Sequence, residues 1–223
     1  MRKIFLAILA FACIASAATS EKAILARMDR AAPSFKGLTA DIVRVKFTAI
    51  LNDRAEESGS MSILRSGKDM RARINLVKPS PRAVAFHGDK VEVFYPKLNT
   101  VQEFDVSRSR GLIDQFLLLG FGSSGKEIAK AYTVKVSGDE KINGVNTTRV
   151  LLTPKSSKVR ELLKSVEMWI PEGAAYPVRQ KFVEPSDDYM EVTYHDAKVN
   201  PGLKSADLDL DLPPGVKREF PQK

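Results

Sequence analysis

The stretch MRARINL, residues 70–76, sets Met70, Ala72, Ile74 and Leu76 against Arg71, Arg73 and Asn75. A period of two marks a strand with one face buried and one wet, whereas a helix would repeat every 3.6 residues. The same period recurs on both sides. Val43, Val45 and Phe47 alternate with Arg44 and Lys46, and Met61 and Ile63 with Ser60 and Ser62. Further on come Val91, Val93 and Tyr95, then Tyr132, Val134 and Val136, then Met190, Val192 and Tyr194, each broken by polar residues. Turn signals punctuate these runs: Ser66-Gly67, His87-Gly88-Asp89, Ser137-Gly138-Asp139, Asn143-Gly144, Pro171-Glu172-Gly173 and Pro213-Pro214-Gly215. The pattern predicts a mostly β chain of the α+β kind. Nine or more short strands form one antiparallel sheet that curls into an incomplete barrel with its apolar face inside.

Two helical regions supply the cover. Ser20 and Glu21 cap a helix in which Ala23, Ile24, Arg27, Met28 and Ala31 keep helical spacing as far as Pro33. A second pair, around 108–118 and 124–131, is inserted between the sixth and seventh strands and contains LIDQFLLLGF (112–121). At 100° per residue Leu112, Phe116 and Leu119 fall on one side and Ile113, Leu117 and Phe121 on the next. Their apolar arc exceeds the stripe of about 100° that seats a surface helix. Ten residues are far short of the ~20 needed to span a bilayer. The surplus apolar surface therefore calls for a second protein layer or a bound apolar ligand.

The ends bound the setting. Arg2 and Lys3 precede the apolar run IFLAILAFACIA (4–15) and the small residues Ala15 to Ala18, the layout of a secretory signal peptide cleaved after Ala17 or Ala18. Residues 1–17 are thus read as the signal and 18–223 as one domain, exported to the periplasm. The only cysteine, Cys13, lies within the signal, and Phe11 before it is a poor fit to a lipid-attachment site. The mature domain has no thiol and relies on an ordinary core, which about 205 residues can supply. Loss of Arg2 and Lys3 lowers the formal charge from +8 to +6. In an exported protein that excess suits lipid head groups, acidic partners or solubility better than nucleic acid.

No catalytic constellation emerges. GFGSSGK (120–126) comes within one residue of a phosphate loop, but Glu127 stands where the magnesium-binding Ser or Thr belongs and a helix-like run precedes it. A flexible joint between lid helices is the better reading. His87 and His195 lack a second ligand at zinc spacing and read as surface or turn residues. Asp207, Asp209 and Asp211 alternate with leucines and read as a charged edge strand, not a calcium loop. From Arg65 to Arg82 six basic residues face one acid, Asp69, giving a positive rim. Arg65 continues the register of Met61 and Ile63 and so points toward the apolar face.

Taken in order, several segments resemble the LolA-like family of periplasmic outer-membrane lipoprotein carriers. They are FKGLTADI (35–42), the strand from Gly59 to Arg65, HGDKVEVFYPKLNTVQEF (87–104), FLLLGFG (116–122), VNTTRVLLTPK (145–155), MWIPEGAAYPVRQKF (168–182) and LPPGVK (212–217). The resemblance implies an incomplete barrel closed by helices, a cavity for the acyl chains of lipoproteins, and no enzyme activity, metal or cofactor. It also implies hand-over from an inner-membrane lipoprotein-releasing transporter to an outer-membrane receptor by a monomeric carrier. Arg65 matches the family arginine that holds the lid closed, and is the expected latch. The expected cavity and lid lining comprises Met61, Ile63, Met70, Ile74 and Trp169 on the strands, with Leu112, Ile113, Phe116, Leu117, Leu119 and Phe121 above them. Ser66 replaces a frequent proline, and Met70 and Ala72 replace large aromatics. The alternatives are a module that binds or senses lipids without hand-over, and an outer-membrane-anchored lipoprotein receptor.

Overall fold

The computed structural model describes residues 20–67 and 69–221, so the expected signal peptide, Cys13 and Lys68 lie outside the described residues. The strands are β1 (Gly37–Thr48), β2 (Asp53–Ser66), β3 (Asp69–Lys78), β4 (Arg82–His87), β5 (Lys90–Tyr95), β6 (Thr100–Asp105), β7 (Tyr132–Ile142), β8 (Val145–Pro154), β9 (Ser165–Pro171), β10 (Arg179–Val183), β11 (Tyr189–Val199) and β12 (Lys217–Glu219). They form a single 12-stranded sheet in the order β12-β6-β5-β4-β3-β2-β1-β11-β10-β9-β8-β7. Its outermost strands β12 and β7 are not paired with each other, so the curled sheet stays open. Every pairing is antiparallel except that of β12 with β6. Among the described residues no helix is long and apolar enough to cross a membrane.

Cross-strand partners share a face, which fixes what the concave side carries. Leu38 lies opposite Ile63 and Ala40 opposite Met61; Ile63 in turn pairs with Ala72 and Met61 with Ile74. On the other side of β1, Ile42 pairs with Tyr194, and Val192, Gln180, Met168 and Val150 follow in register through β11, β10, β9 and β8. Two hydrophobic clusters result. The first joins β1, β2, β3 and β11 around Leu38, Ile63 and Ala72, all fully buried. The second joins β8 and β9 to helix α1 (Glu21–Ala31) through Ile24, Met28, Leu152 and Ile170. Ser20 caps α1 as expected, its hydroxyl accepting from the Ala23 amide at 3.2 Å.

Three readings of individual strands need correction. Val43, Val45 and Phe47 were expected on the apolar face, but Leu38, Ala40 and Ile42 occupy it. Apolar residues stand at both parities of β1, and the pairing with Met61 and Ile63 selects one of them. Val45 is buried on the far side, and Phe47 stacks on Tyr189 with ring centroids 4.9 Å apart. Ser137-Gly138-Asp139 is a bulge inside β7 instead of a turn. The register slips between Val136 and Gly138, and Gly138 takes a φ of +127° that suits glycine.

The segment 205–211 is likewise not an edge strand. Ser205–Leu208 form a 3-10 turn that packs on β2 and β3 with Leu208 completely buried. Arg71 donates to the Ser205 carbonyl at 3.0 Å and pairs with Asp209 at 2.6 Å, while Arg73 donates to the Asp209 carbonyl at 2.6 Å. Arg82 pairs with Glu57 at 2.5 Å, and Arg44 bonds the same carboxylate. Burial alone would raise the Glu57 pKa, but hydrogen bonds from the two guanidinium groups outweigh it and hold the carboxyl below its ordinary range. Much of the basic run between Arg65 and Arg82 is therefore engaged within the molecule: Arg71 and Arg73 fasten the acidic C-terminal segment across the outer face, and Arg82 is held by Glu57.

Candidate functional site

The inserted helices α2 (Arg110–Leu118) and α3 (Gly125–Ala131) connect β6 to β7. Between them Leu119 joins the second cluster and Phe121 the first, so the chain crosses the seam of the core in three residues. Gly120 makes that reversal with φ +84°, in a space where a Cβ would meet Pro177, Gln180 and Met168 at 3.0–3.1 Å. Phe121 is edge-on to Tyr194 at 4.9 Å and stacks on Tyr176 at 6.1 Å. Side chains from the sheet grip the same segment. Arg65 Nη1 donates to the Gly122 carbonyl at 3.1 Å, and Gln180 Nε2 donates to the Leu119 carbonyl at 2.9 Å. The Tyr194 hydroxyl, whose pKa burial pushes far up, donates to Gln180 Oε1 at 2.6 Å. At the other end of α2, Arg110 pairs with Asp69 at 3.0 Å and Asp89 at 3.3 Å, on the β2–β3 and β4–β5 turns, and with Asp114 at 3.6 Å. Burial raises the Asp114 pKa, with the nearby Arg110 charge opposing it.

No protein-family model matches the chain, and no curated protein sequence does. Solved structures do match. An uncharacterized conserved protein from Thermus thermophilus is 12% identical over 89% of this chain and 98% of its own, with a TM-score of 0.55. Lipoprotein LppX of Mycobacterium tuberculosis is 15% identical over 85% of this chain and 100% of its own, with a TM-score of 0.51. A domain from Vibrio parahaemolyticus described as an outer-membrane lipoprotein-sorting protein is 13% identical, covering 83% and 94% of the two chains, with a TM-score of 0.44. The chain shares the fold of the Thermus thermophilus protein and of LppX. At such identities the likeness is one of fold alone.

Within this fold the anticipated site residues separate into groups. Met61, Ile63 and Met70 are buried in the first cluster, and Ile74 is partly buried against it. Leu117 packs on that cluster together with Phe86, while Phe116 packs on the second, edge-on to Phe182 at 6.3 Å. Leu112 and Ile113, one turn earlier, are only half-buried. Leu119 and Phe121 are core residues at 1% and 3% exposure. Trp169 does not line the concave face. Its neighbours Met168 and Ile170 take that side, so the pleat turns the indole outward, where Nε1 donates to Glu140 at 2.7 Å and Arg179 lies over the ring.

The glycine-rich joint also reads differently in three dimensions. Residues 119–122 are buried, and a Cβ on Gly122 would come within 2.5 Å of Leu118 and 2.9 Å of Phe35. Glycine there serves close packing, not a loose joint. Glu127, which spoils the phosphate-loop pattern, accepts from the Ser124 amide at 2.8 Å while its own amide donates to the Ser124 hydroxyl at 3.2 Å. That reciprocal pair is the capping box that starts α3. Sequence reading missed Gln180 and Arg110. Gln180 carried a signal: it sits on the apolar phase of Val178, Gln180 and Phe182, where a polar side chain needs a buried partner.

Proposed function

We propose that the protein is a periplasmic carrier that shelters the acyl chains of lipoproteins between the concave sheet and α2 and ferries them from inner to outer membrane. The observation that carries this reading is the half-burial of Leu112, Ile113, Phe116 and Leu117 along α2, together with that of Ile74, Val84, Phe86 and Val93 on one face of the sheet, where Leu117 packs on the same cluster as Ile74 and Phe86. A helix closing a finished core would bury its apolar arc; this one keeps the apolar surface of several side chains in reserve. A 16-carbon chain in water costs on the order of 12 kcal/mol at ~0.8 kcal/mol per methylene, which is the free energy such a surface can offset. The inner-membrane releasing transporter and the outer-membrane receptor are the partners the reading requires, and residues 1–17 are the signal that would deliver the chain to them. Native mass spectrometry of the protein purified from its own periplasm tests it. A lipoprotein adduct is the expected result, a free-lipid adduct would favour a lipid-binding module, and a bare chain would overturn the reading.

Arg65 is the latch in this scheme. It reaches the lid segment with one charged donor on one backbone carbonyl, a contact that cargo can break without disturbing the core. A hydrogen bond from a charged group contributes about 1.5–3 kcal/mol when buried, and about half that at a half-buried site. Arg65→Leu is expected to raise the uptake rate of a fluorescent fatty acid roughly tenfold, since ~1.4 kcal/mol is a factor of ten in the open population. Unchanged uptake in Arg65→Leu would remove the latch role.

A further inference from the structure

We propose that the protein also docks on anionic lipid membranes through one edge of its sheet, where the β1–β2, β3–β4 and β5–β6 connections line up. Thr48 pairs with Asp53 and Tyr95 with Thr100 at the two hairpin ends, and β3 ends at Lys78 on the same side. The strand order β6-β5-β4-β3-β2-β1 brings the three tips to one edge, successive tips two strands or about 10 Å apart across the sheet, and the β1–β2 hairpin, whose Ser58 and not Asp53 pairs with Lys78, reaches furthest along the strands.

That row is where the molecule exposes apolar side chains. Ile50 is 91% exposed, Leu51 72%, Leu98 71% and Val77 57%. Leu162, at 59%, precedes the start of β9 on the same edge, whereas Phe220, Val145 and Val199 elsewhere reach only 36–44%. Among the described residues, every large hydrophobic more than half exposed therefore lies at one edge. Two of the tips share one construction. Ala49–Leu51 and Pro96–Leu98 are 3-10 turns, each closed by a left-handed asparagine, Asn52 at φ 47° and Asn99 at φ 46°. Leu51 and Leu98 occupy equivalent places, held outward by the backbone and unable to fold back onto the sheet.

The chemistry around the tips selects the occupant. Lys46, Arg54, Lys78 and Lys97 are exposed on the three hairpins beside the apolar residues, against the exposed acids Asp53 and Glu56. Separate protruding side chains with cations between them lack the continuous packed patch of about 800 Å² that a stable protein partner covers. They fit a head-group layer, which accepts apolar side chains 5–10 Å deep while phosphates meet the lysines and arginine. The orientation also preserves access to the lid. Its polar anchors, Arg65 and the Asp69 and Asp89 turns, sit toward the opposite edge, so membrane contact leaves them free.

This inference stands without the carrier reading, because vesicle binding reports on the tips and acyl uptake on the lid. Sedimentation with phosphatidylcholine vesicles, with and without phosphatidylglycerol, tests it. The protein is expected to bind the anionic vesicles and to release as salt is raised. Ile50→Asp, Leu51→Asp and Leu98→Asp together are expected to lower partitioning at least tenfold with the thermal unfolding curve unchanged. Lys78→Glu with Lys97→Glu should weaken binding to anionic vesicles only, and Val145→Asp, at the opposite edge, should change nothing. Failure of the unaltered protein to bind either vesicle, or equal binding by the triple aspartate variant, would overturn the proposal.

Discussion

Gly125→Ala is expected to destabilise the protein by about 2 kcal/mol or more, although alanine is the better helix former by up to ~1 kcal/mol. Gly125 opens α3 where that helix crosses α1, and a Cβ built on it would stand 2.1 Å from the Leu25 carbonyl oxygen and 2.8 Å from the Leu25 Cα. Both are backbone atoms of a packed helix, so no rotamer change relieves the contact; α1 or α3 must move. Movement there pulls on Ile24, Met28 and Ile128, each at most 2% exposed in the second cluster. Gly111, near the start of α2, is the internal comparison, since a Cβ there would meet nothing within 4 Å. Gly111→Ala should show the propensity gain alone and stabilise by about 0.5–1 kcal/mol. Urea unfolding of both variants, or a melting shift of about 2–4 °C per kcal/mol, measures the contrast. A stabilised Gly125→Ala variant would mean that the two helices are not in the contact described.

The sheet was legible wherever one parity of a strand was apolar and the other polar. Residues 70–76 alternate without ambiguity, and Met70, Ala72, Ile74 and Leu76 all face the core or pack on it. In β1 the rule gave no unique answer, because Leu38, Ala40 and Ile42 compete with Val43, Val45 and Phe47, and only the neighbouring strand decides. Trp169 failed for a different reason: in β9 Val166, Met168 and Ile170 hold the concave parity, so Trp169 shares the other with Ser165 and Glu167, where its N–H finds Glu140. The C-terminal segment was misread as a strand because the partners of Asp209, Arg71 and Arg73, stand more than a hundred residues away in sequence. The inserted helices were placed correctly between β6 and β7, and Arg65 was aimed at the concave side by register alone. What register cannot supply is the tertiary partner of a lone polar group, so Gln180 and Arg110 surfaced only in three dimensions.

Gln180→Leu is expected to cost about 3 kcal/mol of stability. Gln180 is 2% exposed and serves two groups at once, donating to the Leu119 carbonyl at 2.9 Å and accepting from the Tyr194 hydroxyl at 2.6 Å. Leucine fills a similar volume, so little cavity is made and the loss is chiefly that of two buried groups without their partner, at about 1–3 kcal/mol each. The hydroxyl can be removed separately. In the double variant Gln180→Leu with Tyr194→Phe, only the Leu119 carbonyl remains unsatisfied, and about 1–2 kcal/mol of the loss should return, a coupling that independent sites would not show. The comparison with Arg65 separates two kinds of fastening. Arg65 donates to the Gly122 carbonyl from a half-buried position, whereas Gln180 holds the Leu119 carbonyl inside the core. Gln180→Leu should therefore lower stability far more than it speeds acyl uptake, and Arg65→Leu should do the reverse. If Gln180→Leu costs less than about 1 kcal/mol by denaturant unfolding, or the two changes add without coupling, the buried chain from Tyr194 to Leu119 does not hold the segment between α2 and α3 to the sheet.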